Sequence, residues 1–230
     1  MKVGIVCAGD EELAPFLPVI ENCKVVERAK LKFYEGRIHG VEAVVLFSGV
    51  CKVNAAIASQ ILIDIFGVGM IINSGTAGGM NTELMIFDTV ISTEVCYHDV
   101  AQDILTEFHP WMKSVFFEAD RRLVELSKTA VGKIKPAGRV FWGRMVTGES
   151  FITEEGRQKI NEEFAPLTVD METASIAHVC YANEIPFISI RCVTDTAMHS
   201  GIDNFEENCA RASAIAKDIT IALLEEAGGM

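Results

Sequence analysis

The feature that most constrains the fold is a series of short apolar runs rich in Val and Ile, separated by stretches of helical periodicity. Runs of four to eight residues without polar alternation are typical of strands buried on both faces. Helices between such strands cover the sheet, so the pattern predicts an α/β protein with a parallel or mixed sheet. An early hairpin, predicted from residues 33–38 and 43–47 joined at His39-Gly40, favours a mixed sheet. The predicted strands are residues 2–7, 43–47, 68–73, 88–92, 140–147 and 187–193.

Three segments have the spacing of helices. Residues 53–66 leave almost no polar face, which predicts a helix in the core or at a subunit interface. Residues 172–183 and 211–226 are amphipathic. Because no linker, charge block or repeat separates these segments, we expect one domain over residues 1–230.

Composition excludes several classes of function. The chain has 32 acidic and 20 basic residues, a formal charge of −12, so a nucleic acid partner would be repelled and a small-molecule substrate is favoured. The seven cysteines are scattered, with no CxxC, and predict reduced thiols. Neither a signal peptide nor an apolar run of roughly 18 residues is found, so we expect a soluble cytoplasmic protein without a membrane partner.

Polar residues that follow the apolar runs are the candidates for a site, because ligands of open α/β sheets bind at the carboxyl ends of the strands. The run Asp10-Glu11-Glu12 either faces this crevice or begins a helix. The Gly-rich run at residues 74–79 permits close approach of a ligand, or merely a tight turn. The other candidates are residues 147–152, 170–172, Arg191 and 194–195.

Arg191 interrupts an apolar strand, where an unpaired charge would cost several kcal/mol or more. Glu172 or Asp195 is its expected partner, in a functional site or in a structural ion pair. His98-Asp99 lacks the ligand spacing of a metal site, so no metal is expected.

Seven segments in order resemble the nucleoside phosphorylase/hydrolase superfamily, and specifically the bacterial 5′-methylthioadenosine/S-adenosylhomocysteine nucleosidases. They are MKVGI (1–5) with Glu11-Glu12, SGVCKVNAA (48–56), INSGTAGG (72–79), YHD (97–99), SFI (150–152), VDMETASIAHVC (169–180) and RCVTD (191–195). The resemblance implies a single-domain three-layer αβα fold with a central mixed twisted sheet, and a homodimer. It also implies hydrolysis of the N-glycosidic bond of 5′-thio-substituted adenosines without a cofactor, in purine salvage and methionine recycling, with 5′-deoxyadenosine as a further candidate substrate.

The resemblance also implies roles for individual residues. By position, Glu12 matches the carboxylate that activates water, Asp195 the acid that protonates purine N7, and Glu172 the carboxylate that holds the ribose hydroxyls. Arg191 matches a residue that helps to hold the water. The implied binding residues are Met171 at the sugar, Phe151 stacked on adenine, the backbone of Ile152 at the adenine edge, and Thr76, Ala77 and Gly78 along the site.

The chemistry requires such a division of labour, because glycosidic cleavage needs an acid on the leaving group and a base on water. Adenine is a poor leaving group as an anion, so Asp195 must hold a proton near pH 7 while Glu12 stays ionised.

A phosphorylase is the alternative within the superfamily, and a non-catalytic protein that binds adenine nucleosides is a further one. A phosphorylase must hold a phosphate dianion, usually with arginines, but Asn73 stands near the point where related purine phosphorylases carry such an Arg. A carboxylate such as Glu12 would repel phosphate, which favours water as the nucleophile.

Residues 100–111 depart from the Gly/Tyr-rich segment of well-known family members. In the family this region reaches the 5′-substituent pocket of the partner subunit. Phe108 and Pro110 would give that pocket an apolar wall, unless the segment is an ordinary surface loop.

Overall fold

The strands join into one mixed sheet in a computed structural model that describes residues 1–108, 112–199 and 201–228. The strands are β1 (Val3–Cys7), β2 (Glu21–Arg28), β3 (Leu31–Ile38), β4 (Val41–Phe47), β5 (Met70–Gly79), β6 (Thr89–Tyr97), β7 (Phe117–Glu118), β8 (Val140–Thr147), β9 (Thr168–Asp170) and β10 (Phe187–Asp195). The helices are α1 (Asp10–Leu13), α2 (Lys52–Asp64), α3 (Gln102–Glu107), α4 (Arg121–Lys133), α5 (Glu154–Phe164), α6 (Thr173–Ala182) and α7 (Ile202–Gly228).

The sheet is open at one end and closed at the other. Its order is β10-β6-β8-β9-β5-β1-β4-β3-β2, and β7 pairs with β6. Strand β10 is parallel to β5 and antiparallel to β6, so β5, β10, β6, β8 and β9 form a closed ring. The prediction of a mixed sheet is confirmed, whereas the closure was not predicted.

Helices cover both faces of the sheet, as expected for three layers. Helices α1, α4 and α7 pack on one face, and α2 and α6 on the other. Helix α7 buries a stripe at helical spacing that includes Ile215, Ile219 and Leu223. The opposite cluster includes Leu62 of α2 and Ile176 of α6. Apolar burial on both faces fixes the strands whose ends carry the polar residues described below.

The hairpin prediction is confirmed. Strands β3 and β4 are antiparallel, and both turn residues have positive φ, 48° at His39 and 81° at Gly40. Positive φ at both central positions is typical of the turn that matches the twist of a hairpin.

The prediction of a turn within residues 74–79 is wrong. These residues continue β5 as an extended strand that pairs with β10 as far as Gly78, while Gly79 pairs with Thr168 of β9. Helix α7 also differs, since it begins at Ile202 rather than at residue 211. Strand β2 was missed because it is mostly exposed and carries charged residues instead of an apolar run.

Five of the seven cysteines, Cys7, Cys96, Cys180, Cys192 and Cys209, are buried free thiols, whereas Cys23 is exposed and Cys51 is half-buried. Among the helices of the described residues, none combines the length and apolar character that a membrane span requires.

Candidate active site

A cavity of about 670 Å³ lies where β1, β5, β9 and β10 end. It brings together all four predicted catalytic residues, which come from three different segments of the chain. The predicted residues in its wall are Glu12, Thr76, Ala77, Gly78, Phe151, Ile152, Met171, Glu172, Arg191 and Asp195.

Glu12 lies in the single turn of α1 and is buried. Its Oε2 accepts hydrogen bonds from the N–H groups of Ala8 (2.6 Å) and Gly9 (3.4 Å). Its Oε1 accepts bonds from the N–H (2.7 Å) and the hydroxyl (2.9 Å) of Thr76. The acidic run 10–12 was predicted either to begin a helix or to face the crevice. Both are correct, because the run begins α1 and Glu12 also lines the cavity.

The Gly-rich part of β5 gives the carboxylates room. A Cβ at Gly75 would lie 2.5 Å from the carboxyl atoms of Glu12, closer than real Cβ contacts allow. A Cβ at Gly78 would lie 3.1 Å from Oδ2 of Asp195. The glycines thus let two acidic side chains lie directly against the strand, which explains a run that sequence alone suggested was a turn.

Arg191 is fully buried and lies among three carboxylates. Its guanidinium is 3.1 Å from Glu172, 3.6 Å from Glu12 and 3.7 Å from Asp170. Burial lowers the pKa of Arg191, but these carboxylates raise it well above its ordinary value, so the side chain stays charged. The expected ion pair with Glu172 is present, and we call this group of four residues the Arg191 cluster.

The polar neighbours of Arg191 fix its orientation. Its Nε donates to Oδ1 of Asn73 (3.1 Å) and to Oγ1 of Thr173 (3.2 Å), and its Nη1 donates to the carbonyl of Thr76 (2.9 Å). Asn73 in turn donates to the carbonyl of Val6 (2.9 Å). These bonds leave the guanidinium little freedom to turn toward an added anion.

Glu172 precedes α6, whose first N–H groups are capped by Asp170. One oxygen of Glu172 accepts from the N–H of Cys51 (3.0 Å) and the other from Arg191 (3.1 Å). Burial raises the pKa of Glu172 to about 7, against the opposing effect of Arg191. A carboxylate with such a pKa changes charge in the physiological range.

Asp195 ends β10, is buried and lines the cavity. Its Oδ1 accepts a hydrogen bond from the Thr194 hydroxyl (3.0 Å), and its Oδ2 is 3.9 Å from Nη2 of Arg157. Burial raises the pKa of Asp195, while Thr194 and Arg157 act in the opposite direction. Sequence reasoning missed Arg157, because nothing in the pattern of α5 marks its arginine as buried.

Aromatic side chains form the outer part of the cavity. Phe151 is partly exposed, and its ring packs edge-on against Phe205 at a centroid distance of 6.3 Å. Phe205 and Ile202 belong to the first turns of α7, ahead of the predicted helix start, and were therefore not predicted as site residues. A flat aromatic ring beside the buried Asp195 suits a planar heterocycle.

Two predicted residues are not in this wall. Phe108 is 55% exposed at the end of α3 and does not line the cavity of its own chain, and Pro110 lies outside the described residues. Their expected role concerned a partner subunit and stays a prediction. Asp99 pairs with Lys52 (2.9 Å), so it forms an ion pair between the loop after β6 and the start of α2.

The cavity is strongly acidic. Among the described residues that line it, Arg191 is the one basic side chain, and the acidic ones are Asp10, Glu11, Glu12, Asp170, Glu172, Asp195 and Glu206. Such a wall repels phosphate and favours neutral or cationic groups.

Comparison with known proteins agrees with this geometry. The sequence pattern of the phosphorylase superfamily matches residues 2–225, so the chain belongs to that superfamily.

Its relatives define the family more narrowly. A 5′-methylthioadenosine/S-adenosylhomocysteine nucleosidase of Oceanobacillus iheyensis is 37% identical over 231 residues, covering 98% of this chain and all of the relative. The nucleosidase of Neisseria meningitidis, solved with methylthio-immucillin-A, superposes with a TM-score of 0.89 at 31% identity, over 97% and 98% of the two chains. That of Colwellia psychrerythraea, solved with adenine, gives 0.90 at 32% identity, over 98% and 95%. Within the superfamily the chain is thus a member of these nucleosidases, which are N-glycosyl hydrolases.

Proposed function

We propose that this chain hydrolyses the N-glycosidic bond of 5′-methylthioadenosine and S-adenosylhomocysteine, releasing adenine and the corresponding 5-thioribose. The observation that carries the proposal is the meeting of Glu12 and Asp195, from opposite ends of the sequence, at one acidic cavity with the Arg191 cluster. A buried acid and a hydrogen-bonded carboxylate are the two groups that glycosidic hydrolysis requires.

Asp195 acts as the general acid in this proposal. Burial raises its pKa, which favours the protonated form that can give its proton to N7 of the purine. The electron pair of the C1′–N9 bond then passes to a neutral adenine rather than to an anion. One acid placed in this way contributes roughly 10²–10⁴ in rate.

Glu12 acts on the water. As C1′ becomes electron-poor, the water oxygen forms a bond to it and Glu12 takes a proton from the water. Arg191, held by Asn73 and the Thr76 carbonyl, keeps its charge 3.6 Å from Glu12 and orients this carboxylate. The products are adenine and a thioribose with a hydroxyl at C1.

Glu172 binds the sugar. Its carboxylate accepts from the ribose hydroxyls, and its negative charge stabilises the positive charge that develops on the ring. Met171, beside it in the cavity wall, packs against the sugar.

The base is held by the outer wall. Phe151 stacks on adenine and excludes water, while the Ile152 backbone contacts the adenine edge. Thr76, Ala77 and Gly78 of β5 form the floor, where the absence of a side chain at Gly78 leaves Asp195 accessible.

A phosphorylase is the alternative that the structure disfavours, because one fully paired arginine stands against seven acidic residues in the described cavity wall. The test is release of adenine from 5′-methylthioadenosine in phosphate-free buffer, with a parallel reaction in added phosphate. We expect full turnover and free 5-methylthioribose in both. Strict dependence on phosphate, or a thioribose 1-phosphate product, would contradict the proposal, as would binding without any adenine release. Adding 5′-deoxyadenosine and S-adenosylhomocysteine to the panel defines the preferred 5′ group.

We also propose that the enzyme acts as a homodimer. Helix α2 exposes Val53 (68%) and Ile57, although its sequence has almost no polar face. Such an apolar surface is typical of a subunit interface. Light scattering should give twice the chain mass, and Val53→Glu should lower it, whereas Met85→Glu, at an exposed apolar residue outside α2, should not. A monomer at micromolar concentration would contradict this.

A single domain over residues 1–230 and a reducing, cytoplasmic location are part of the same proposal. The free thiols of the described residues support the location, since disulfides are rare in reducing compartments.

A further inference from the structure

We propose that Arg157 is a positioning residue for the proton donor Asp195, and that it stabilises the carboxylate that Asp195 becomes when its proton has been transferred. The inference deepens the proposed function and rests on Asp195 being the general acid.

Arg157 contacts Asp195 from outside the described cavity wall. Arg157 is the fourth residue of α5, and its side chain reaches the end of β5, where Nη1 donates to the Gly79 carbonyl and lies 3.4 Å from Sδ of Met80. Its Nη2 lies 3.9 Å from Oδ2 of Asp195. The side chains of Arg157 and Asp195 are only 6% and 2% exposed, so water screens this pair weakly.

Packing alone does not explain an arginine here. A buried guanidinium loses much of its hydration, and a cation in the first turns of a helix opposes the positive end of the helix dipole. An apolar side chain would fill the same space without either cost. The Gly79 carbonyl takes one donor group of Arg157, and the carboxylate of Asp195 lies beside another.

The positive charge of Arg157 acts after Asp195 has transferred its proton. Before proton transfer Asp195 is neutral, and the separation of 3.9 Å is too long for a hydrogen bond. After transfer to N7, a carboxylate is left in a buried site with low dielectric, where a nearby cation is worth more than in water. Arg157 thus interacts more strongly with the product of proton transfer than with the resting acid, which is the difference that lowers a barrier.

The other charged groups around Asp195 do not supply this effect. Arg191, the one arginine in the described cavity wall, is already matched with three carboxylates. Glu206 of α7 faces the same cavity but is acidic, so it cannot stabilise a carboxylate at Asp195. His199, on the loop that follows Asp195, is not in the described cavity wall. The remaining charged residues of the described wall are acidic and oppose ionisation of Asp195: Asp10, Glu11, Glu12, Asp170 and Glu172.

Two variants separate charge from structure. In Arg157→Gln the pKa of Asp195 should rise, because a cation that favours the carboxylate is lost. Since the protonated form is the active one, the alkaline limb of kcat/KM should move up by about one pH unit, while kcat at the plateau falls roughly tenfold or more. Arg157→Lys keeps the charge and should leave the limb near its original pH.

Arg144→Gln is the matched control. Arg144 donates to the Phe164 carbonyl at the other end of α5 and pairs with Glu94 (2.8 Å), far along the helix from Asp195. The Arg144→Gln variant also loses an arginine that anchors α5, but the alkaline limb of its kcat/KM profile should not move. Calorimetric titration with adenine and thermal melting show whether each variant is folded and binds.

A double variant decides between failure of this inference and failure of the proposed function. If Arg157 acts through Asp195, Arg157→Gln should lower kcat little further in the Asp195→Asn background. An unmoved limb in Arg157→Gln, or a full additive loss in the double variant, overturns the role of Arg157. If Asp195→Asn alone keeps normal turnover, the assigned acid itself is wrong.

Discussion

The two halves of the cavity hold their carboxylates in different ways. In the Arg191 cluster, three carboxylates surround one guanidinium, and N–H groups of the loops after β1 and β4 and of Thr76 in β5 donate further hydrogen bonds. Around Asp195, the side-chain contacts are the hydroxyl of Thr194 and the more distant Arg157. In the proposed mechanism, a dense network keeps carboxylates in place to bind sugar and water, whereas a sparse one leaves a buried carboxyl able to keep its proton.

The largest effect is expected from Asp195→Asn. The amide keeps the shape of the carboxyl but cannot give a proton to N7, so kcat should fall roughly 10²–10⁴-fold. Because few bonds hold Asp195, the melting temperature and the Kd for adenine should change little. Steady-state assays and calorimetry measure this contrast, and near-normal turnover would contradict the assigned acid.

Arg191→Met should give the largest loss of stability. Removing the guanidinium leaves three buried carboxylates without their cation, which costs about 3–5 kcal/mol of unfolding free energy. Urea denaturation measures it. Arg121→Met is the control, since Arg121 and its partner Glu118 are both largely exposed, and it should change stability far less. Equal losses would mean that the cluster is no more tightly coupled than a surface pair.

The pH profile tests both halves together. Burial raises the pKa of Glu172 to about 7, and the ionised form binds the sugar, so kcat/KM should fall about tenfold per pH unit below that value. On the alkaline side activity should fall as Asp195 loses its proton. Values of kcat/KM between pH 5 and 9 give both limbs. A flat profile from pH 5 to 7 would show that ionisation of Glu172 does not control the acidic limb.

The smallest effect concerns the backbone that contacts Glu172. Cys51 has φ 82° and ψ 163°, a conformation that is essentially restricted to glycine. Cys51→Gly keeps the N–H that donates to Glu172 and removes the strain, so stability should rise by about 1 kcal/mol after the entropy cost of glycine. The midpoint of urea denaturation measures it. Cys23→Gly, at the exposed cysteine in β2, should be neutral or destabilising.

Sequence predicted the Arg191 cluster better than the surroundings of Asp195, for a physical reason. A charged residue within an apolar strand requires a partner, so Arg191 by itself pointed to a nearby carboxylate, Glu172 or Asp195. The contact between Arg157 and Asp195 joins α5 to the end of β10, and nothing local to either segment reveals it. Phe205 was missed in the same way, because the polar start of α7 hid the first turns of the helix.

The fold was predictable where burial imposes a pattern. Residues 140–147 match β8 because an apolar run of that length has few alternatives. Glycines carry no such pattern, so the extended part of β5 was mistaken for a turn. The closed ring depends on β10 pairing with two strands at once, which local periodicity does not encode.

Strand β10 also sets the distance between Arg191 and Asp195. Arg191 and Asp195 lie four residues apart on β10, at most roughly 13 Å at the usual rise of a strand, and both pair with β5, although the register shifts between Val193 and Asp195. Because this pairing holds the two residues at a set separation, the proposed mechanism has a nearly constant span between the hydrolytic water and the departing base. The part of the substrate that can differ between enzymes with this scaffold is then the part beyond that span, the 5′ end of the nucleoside.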